Sequence, residues 1–105
     1  MIKFKTTSAP QNMGMVWVYA NDIPVAYAIV STTDEKEVSI WLIYTETQFR
    51  RKGYAKAFLE RMKGYASSIV SGATTDSAKK LFKACGFQFV NQGHALSNYW
   101  EWKKV

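Results

Sequence analysis

Apolar residues recur along this chain with two different periods, and the switch between them divides it. Met15–Ala20 reads Met-Val-Trp-Val-Tyr-Ala, the β-branched and aromatic composition of a half-buried strand. Asn21-Asp22-Ile23-Pro24 reads as a turn. Val25–Ser31 is a second strand, so the two form a hairpin. Thr32–Lys36 is a polar turn into a third strand, Glu37–Thr45. In it Val38, Ile40, Leu42 and Tyr44 alternate with Ser39, Trp41 and Ile43. Both faces become apolar towards its end, which predicts a central strand covered on both sides.

After this strand the period lengthens to that of a helix. Ala55, Phe58, Leu59, Met62 and Ala66 form one apolar stripe, with Lys56, Glu60, Arg61 and Lys63 opposite. The spacing predicts a helix from about Lys52 to about Ser67. Ile69–Ala73 is a short strand. Thr74-Thr75-Asp76 offers N-caps for a second helix, whose stripe is Ala78, Leu81, Phe82 and Cys85. Gly86 stands where helices commonly close in the left-handed conformation. Phe87–Val90 is a strand, Asn91–Ser97 a loop, and Tyr99–Lys103 a last alternating strand. The order β-β-β-α-β-α-β-β predicts an α/β (α+β) fold: a mixed, mostly antiparallel sheet with helices packed on it and a parallel strand pair around the first helix. Ile2–Thr6 is the one candidate for an additional opening strand.

Composition narrows the chemistry. The 105 residues fit one domain, 1–105, without a repeat or a dividing linker. With 48% hydrophobic residues, it can build a core without staples. A single cysteine, Cys85, and a single histidine, His94, exclude an intrachain disulfide and give no support to a metal cluster or a Ser/His/Asp triad. His94 falls in a polar loop with nothing nearby to orient its ring. No apolar run approaches the roughly 20 residues of a membrane span, and a soluble, cytoplasmic protein is expected. The formal charge of +6 invites a nucleic-acid reading. Its distribution argues against one: Arg50, Arg51, Lys52 and Lys56 gather at one turn, while Lys79, Lys80 and Lys83 share a short helix.

That basic turn carries the chemistry. It leads into the first helix, whose opening N–H groups lack internal partners and carry the positive end of the helix dipole. A phosphate is stabilised there. Gly53 removes a side chain where an anion approaches the backbone, and Ala55 keeps the next turn small.

Arg50-x-x-Gly53-x-Ala55 resembles the pyrophosphate-binding signature of the GNAT N-acetyltransferase superfamily, Gln/Arg-x-x-Gly-x-Gly/Ala. Ile43–Leu59 is similar to that family's strand, turn and helix. Ala78–Phe87 resembles its later helix, which ends in Gly-Phe. The two matches cover roughly half the chain in the right order.

The resemblance implies that acetyl-CoA lies in a split between two parallel strands, here Glu37–Thr45 and Ile69–Ala73. Main-chain amides of Arg51, Lys52, Gly53, Tyr54 and Ala55 would hold the pyrophosphate. The backbone near Ile43 and Thr45 would pair with the pantetheine arm, and an N–H there would polarise the thioester carbonyl. A primary amine, on a small molecule or at a protein lysine or N-terminus, would attack directly. The family's tyrosine on the later helix, which protonates the leaving thiolate, aligns with Phe82. Phenylalanine has no proton to give. Thr75 takes the place of a common asparagine and could cap the helix or touch CoA. Glu46, Glu37, Tyr44 and Tyr99 are candidate bases; each also reads as an ordinary loop carboxylate, hairpin charge or sheet aromatic. Cys85 reads as a small core residue.

Members of this family usually have one or two helices covering the acceptor site, and Ser8–Gly14 is too short and too rich in breakers for two. The site is therefore expected to be open, suiting a protein or peptide amine, or completed in a homodimer. The competing reading is a GNAT-fold module that binds CoA or a protein without turnover.

Overall fold

The computed structural model describes residues 1–8, 13–72, 75–91 and 98–105. Four strands come first: β1 (Ile2–Ser8), β2 (Met13–Ala20), β3 (Ile23–Thr32) and β4 (Glu37–Thr45). Helix α1 (Tyr54–Tyr65), β5 (Ser68–Ser71), helix α2 (Asp76–Ala84), β6 (Gln88–Val90) and β7 (Tyr99–Lys103) follow. Among the described residues the strands form one sheet in the order β1-β2-β3-β4-β5-β7-β6. Only β4 and β5 run parallel; the other pairs are antiparallel. This is the predicted fold class, with the opening strand in place. Ala73, Thr74 and His94 lie outside the described residues.

The turns follow from local chemistry. Asn21 and Asp22 both take positive φ, 51° and 68°, the hand that closes a two-residue hairpin. Ile23 and Pro24 therefore belong to β3, not to the turn. Helix α1 starts two residues later than its stripe suggests, because Gly53 at its N-cap is left-handed, φ 82°. Helix α2 is capped by Thr75, whose Oγ1 accepts from the Ala78 N–H at 3.1 Å. It closes in a Schellman turn: Gly86 has φ 83°, the Phe87 N–H donates to the Phe82 carbonyl at 2.9 Å, and the Gly86 N–H to the Lys83 carbonyl at 3.2 Å. The rings of Phe82 and Phe87 meet 5.0 Å apart, the apolar contact this turn favours.

Cross-strand register sorts the sheet into two faces. Val16, Val18, Ala28, Val30, Val38, Ile40 and Ile69 share one face and are buried. Trp100 and Trp102 continue it on β7. Both helices pack on this face. Phe58 and Leu59 of α1 are 1% and 0% exposed, each worth about 1.5–3 kcal/mol of apolar burial. Phe82 of α2 stacks on Trp100 at 6.4 Å. Arg61 of α1 lies over the Phe4 ring and Lys63 over Trp102.

The second face differs from expectation. Met15, Trp17, Tyr27, Ile29, Leu42 and Tyr44 lie there, and among the described residues neither helix covers it. Trp17, Tyr27 and Tyr44 stand in one cross-strand row, with ring centroids 5.3 and 5.5 Å apart. These contacts partly bury the aromatics without a covering layer. The strict alternation read for β4 also fails. Ile40 pairs with Val30 and Leu42 with Ile29, so Trp41 is the extra residue of a β-bulge. Trp41 and Leu42 both emerge on the uncovered face, 67% and 42% exposed.

Candidate functional site

The parallel strands part company halfway along β4. Their register runs from Glu37↔Ser68 to Ile40↔Ser71 and stops there. β4 continues to Thr45 along β3, with no described strand on its other edge. Ser71, 7% exposed, places its hydroxyl 3.0 Å from the Ile40 carbonyl. The side chain thus satisfies the last rung where the next main-chain bond would fall. The result is a fork, closed at Ile40 and Ser71 and open towards Thr45.

The bulge sets which main-chain groups face into that fork. Beyond it, the Glu46 N–H donates to the Val25 carbonyl of β3 at 3.0 Å. Alternation then turns the N–H and C=O of Thr45 and Ile43 away from β3, into the fork. The Thr45 carbonyl shows this directly, since it accepts from Arg50 Nε at 3.0 Å.

The turn at the open end is pinned from several sides. A 3-10 turn at Thr47–Phe49 leads into it. The Arg50 guanidinium lies 5.7 Å from the Tyr44 ring, and Lys52 Nζ 5.8 Å from that of Phe49. Phe49 meets Tyr54 edge-on at 6.4 Å. Arg51 and Gly53 are left-handed, at φ 64° and 82°, and Lys52 between them is not. Such alternation gathers successive N–H groups into an anion-binding concavity. Arg51 holds this conformation at a cost of about 1–3 kcal/mol. Helix α1 opens with no side-chain cap and no acidic residue in its first turn. Its free N–H groups and dipole therefore meet no competing protein anion. A Cβ on Gly53 would find no atom within 4 Å, so the turn is open to solvent.

Ile43, Thr45 and Arg50–Ala55 thus come together around the open half of the fork. Thr75 spends its hydroxyl on the α2 cap. Phe82 is 2% exposed, enclosed by Phe87 and Trp100. The indole N–H of Trp100 is buried without a hydrogen-bond partner among the described residues. Tyr44 is half-buried beneath Arg50, and Tyr99 half-buried on β7 opposite Val90. Glu46 is exposed beyond the end of β4, roughly 15 Å along the strand from the fork's closed end. Glu37 is engaged at its hairpin end: its N–H donates to Thr33 Oγ1 at 3.2 Å, and its carboxylate accepts from the same hydroxyl at 3.5 Å. Cys85 is buried, and burial pushes its thiol pKa up.

Two features of the closed end were not foreseen: the Ser71 hydroxyl on the Ile40 carbonyl and the bulge at Trp41. The adjacent Trp41-Leu42 pair within an alternating run was the available signal of a bulge.

Comparison with known proteins bears on this geometry. The family model described as the acetyltransferase (GNAT) domain matches residues 12–89. The chain belongs to the GNAT acetyltransferase family. A comparison with curated protein sequences finds no match. Among solved structures, this GNAT domain is similar to an acetyltransferase from Thermus thermophilus, with a TM-score of 0.73 and 15% identity over 91% of this chain and 67% of that one. It is similar end to end to a Bacillus subtilis acetyltransferase solved in complex with CoA: TM-score 0.72, 12% identity, 100% of both chains. The N-acetyltransferase YlbP of Bacillus subtilis, also in complex with coenzyme A, has a TM-score of 0.70 and 16% identity over 86% of this chain and 67% of its own. At these identities the likeness is one of fold.

Proposed function

We propose that residues 1–105 form one acetyl-CoA-binding unit that transfers the acetyl group to a primary amine by direct attack in a ternary complex. The observation that carries this is the fork ending in an uncapped, left-handed basic turn. The CoA complexes of the two Bacillus neighbours support it, as does family membership. In this reading the amides of Arg51–Ala55 hold the pyrophosphate, and Arg51 and Lys52 add charge. Arg50 serves the turn by tying it to Thr45. The main-chain groups of Ile43 and Thr45 pair with the pantetheine arm, directing the thioester towards the closed end. An N–H held there is preorganised for the oxyanion. Holding amine and thioester together supplies further rate. No described helix is long and apolar enough to cross a membrane, and we place the reaction in the cytoplasm.

The test is incubation with acetyl-CoA and a panel of amines, including lysine peptides, protein N-termini and polyamines. Acetylated amine and free CoA thiol are expected in equal amounts, both lost in Gly53→Glu. A second reading, CoA binding without turnover, is favoured by Phe82, which brings no hydroxyl to its position. Tight CoA binding with no product from any amine would select it.

A further inference from the structure

Helix α1 covers only part of the core face. Beside its last two turns, a groove of about 810 Å³ runs between the helix and β1, β2 and β3. Its volume falls within the roughly 300–1,000 Å³ of small-molecule sites. Val16, Val30 and Met62 give it an apolar floor, and Thr6, Thr32 and Arg61 stand at its rim. We propose that this groove is a second binding site, for an amphipathic monocarboxylate, with the apolar body over the floor and the carboxylate at Arg61. Two glycines from different elements keep it open. Gly14 pairs with Val30 and lies two residues from Val16, so alternation aims its missing side chain at the floor. A Cβ there would meet the Thr7 carbonyl at 3.5 Å, an ordinary contact, and the backbone has no positive φ. A β-branched residue would fit and would favour the strand. Gly64 borders the groove from the end of α1, where a Cβ would find no atom within 4 Å. Each glycine weakens its own element relative to alanine. What the two share is the groove.

The charges around the groove select an anion. The Glu60 carboxylate is held by Lys63 Nζ at 3.3 Å. Arg61 reaches from α1 across to β1, its guanidinium 5.5 Å from the Phe4 ring. Among the described residues it forms no ion pair. Lys36 Nζ lies 5.7 Å from the ring of Tyr65, which lines the groove at the end of α1, and adds positive charge there. A guanidinium fork matches a carboxylate through two parallel hydrogen bonds. One such fork above an apolar floor suits a single charge on an apolar body, not a polyphosphate. The groove lies roughly 16 Å along α1 from Gly53, so this site is separate from the coenzyme reading and does not rest on it.

The test follows backbone amide resonances of the full chain as n-octanoate, n-octanol and n-octylammonium are added in separate titrations. Octanoate should shift Gly14, Thr32 and Gly64 together and saturate at concentrations on the order of millimolar. Octanol should bind more weakly, and octylammonium should not saturate. Arg61→Gln should weaken octanoate about fivefold at low salt and leave octanol unchanged. Gly14→Val and Gly64→Leu, each shown to be folded by urea unfolding, should abolish both responses at Thr32. No saturation by octanoate, equal affinity for acid and alcohol, or binding that survives both groove-filling variants would overturn the proposal. Displacement of octanoate by CoA would also overturn it, by putting the acid at the basic turn instead.

Discussion

Gly53 and Gly86 share a left-handed backbone and serve opposite ends of helices. Gly86 closes α2, and Gly53 opens α1 with its N–H groups free. An alanine at Gly86 meets only Lys63 Nζ at 3.9 Å, so space is not the obstacle. The positive φ is, and Gly86→Ala should cost about 1–2 kcal/mol in urea unfolding. Thr75→Ala should cost about 1 kcal/mol through its lost cap. If Thr75 also touches the coenzyme, that variant weakens CoA binding beyond what its stability loss explains. The left-handed glycine after α2 and the threonine cap were legible in the sequence, because each is dictated by the residue itself. The left-handed Arg51 was not. Any residue but glycine resists that conformation, so its presence follows from the surrounding contacts of Arg50, Phe49 and Tyr54.

Elements follow the same division. Strand and helix periods located β2 to β7 and both helices, since burial on one face writes its period into the sequence. Ends shifted where backbone hand intervened, as at Gly53 and Asn21-Asp22. The bulge in β4 escaped the pattern, because apolar residues on an uncovered aromatic face look like those of a covered one. Within α1, Gly64 has open space at its missing Cβ and an ordinary helical backbone. Gly64→Ala should therefore stabilise the fold by about 0.5–1 kcal/mol. The two helices are joined by Lys63, which donates to the Cys85 carbonyl at the end of α2, lies 3.3 Å from Glu60 and covers the Phe87 and Trp102 rings. Lys63→Met keeps the stem and removes the charge at that helix terminus. It should cost about 1–2 kcal/mol, again read by urea unfolding.

At the scale of the molecule, one face of the sheet carries the core, and among the described residues neither helix covers the other. Cys85 belongs to the core: burial raises its thiol pKa, against the opposing pull of Lys63. A raised folded value means the fold holds the proton more tightly. That stabilisation is complete below the unfolded thiol's pKa and is lost as pH rises through the folded one. Wild type should therefore lose more stability than Cys85→Ala between about pH 8 and pH 10. The open half of the candidate site was legible because it is contiguous in sequence, from Ile43 to Ala55. The closed half was not, since Ile40 and Ser71 come together only where β4 pairs with β5.

The most direct measurement is a calorimetric titration of the wild-type chain and Gly53→Glu with CoA. The wild type should bind one CoA, and the variant, folded by circular dichroism, should lose at least about tenfold in affinity, because a carboxylate then occupies the anion's approach to α1. Equal binding by both proteins, or none by the wild type, would contradict a coenzyme held at that turn.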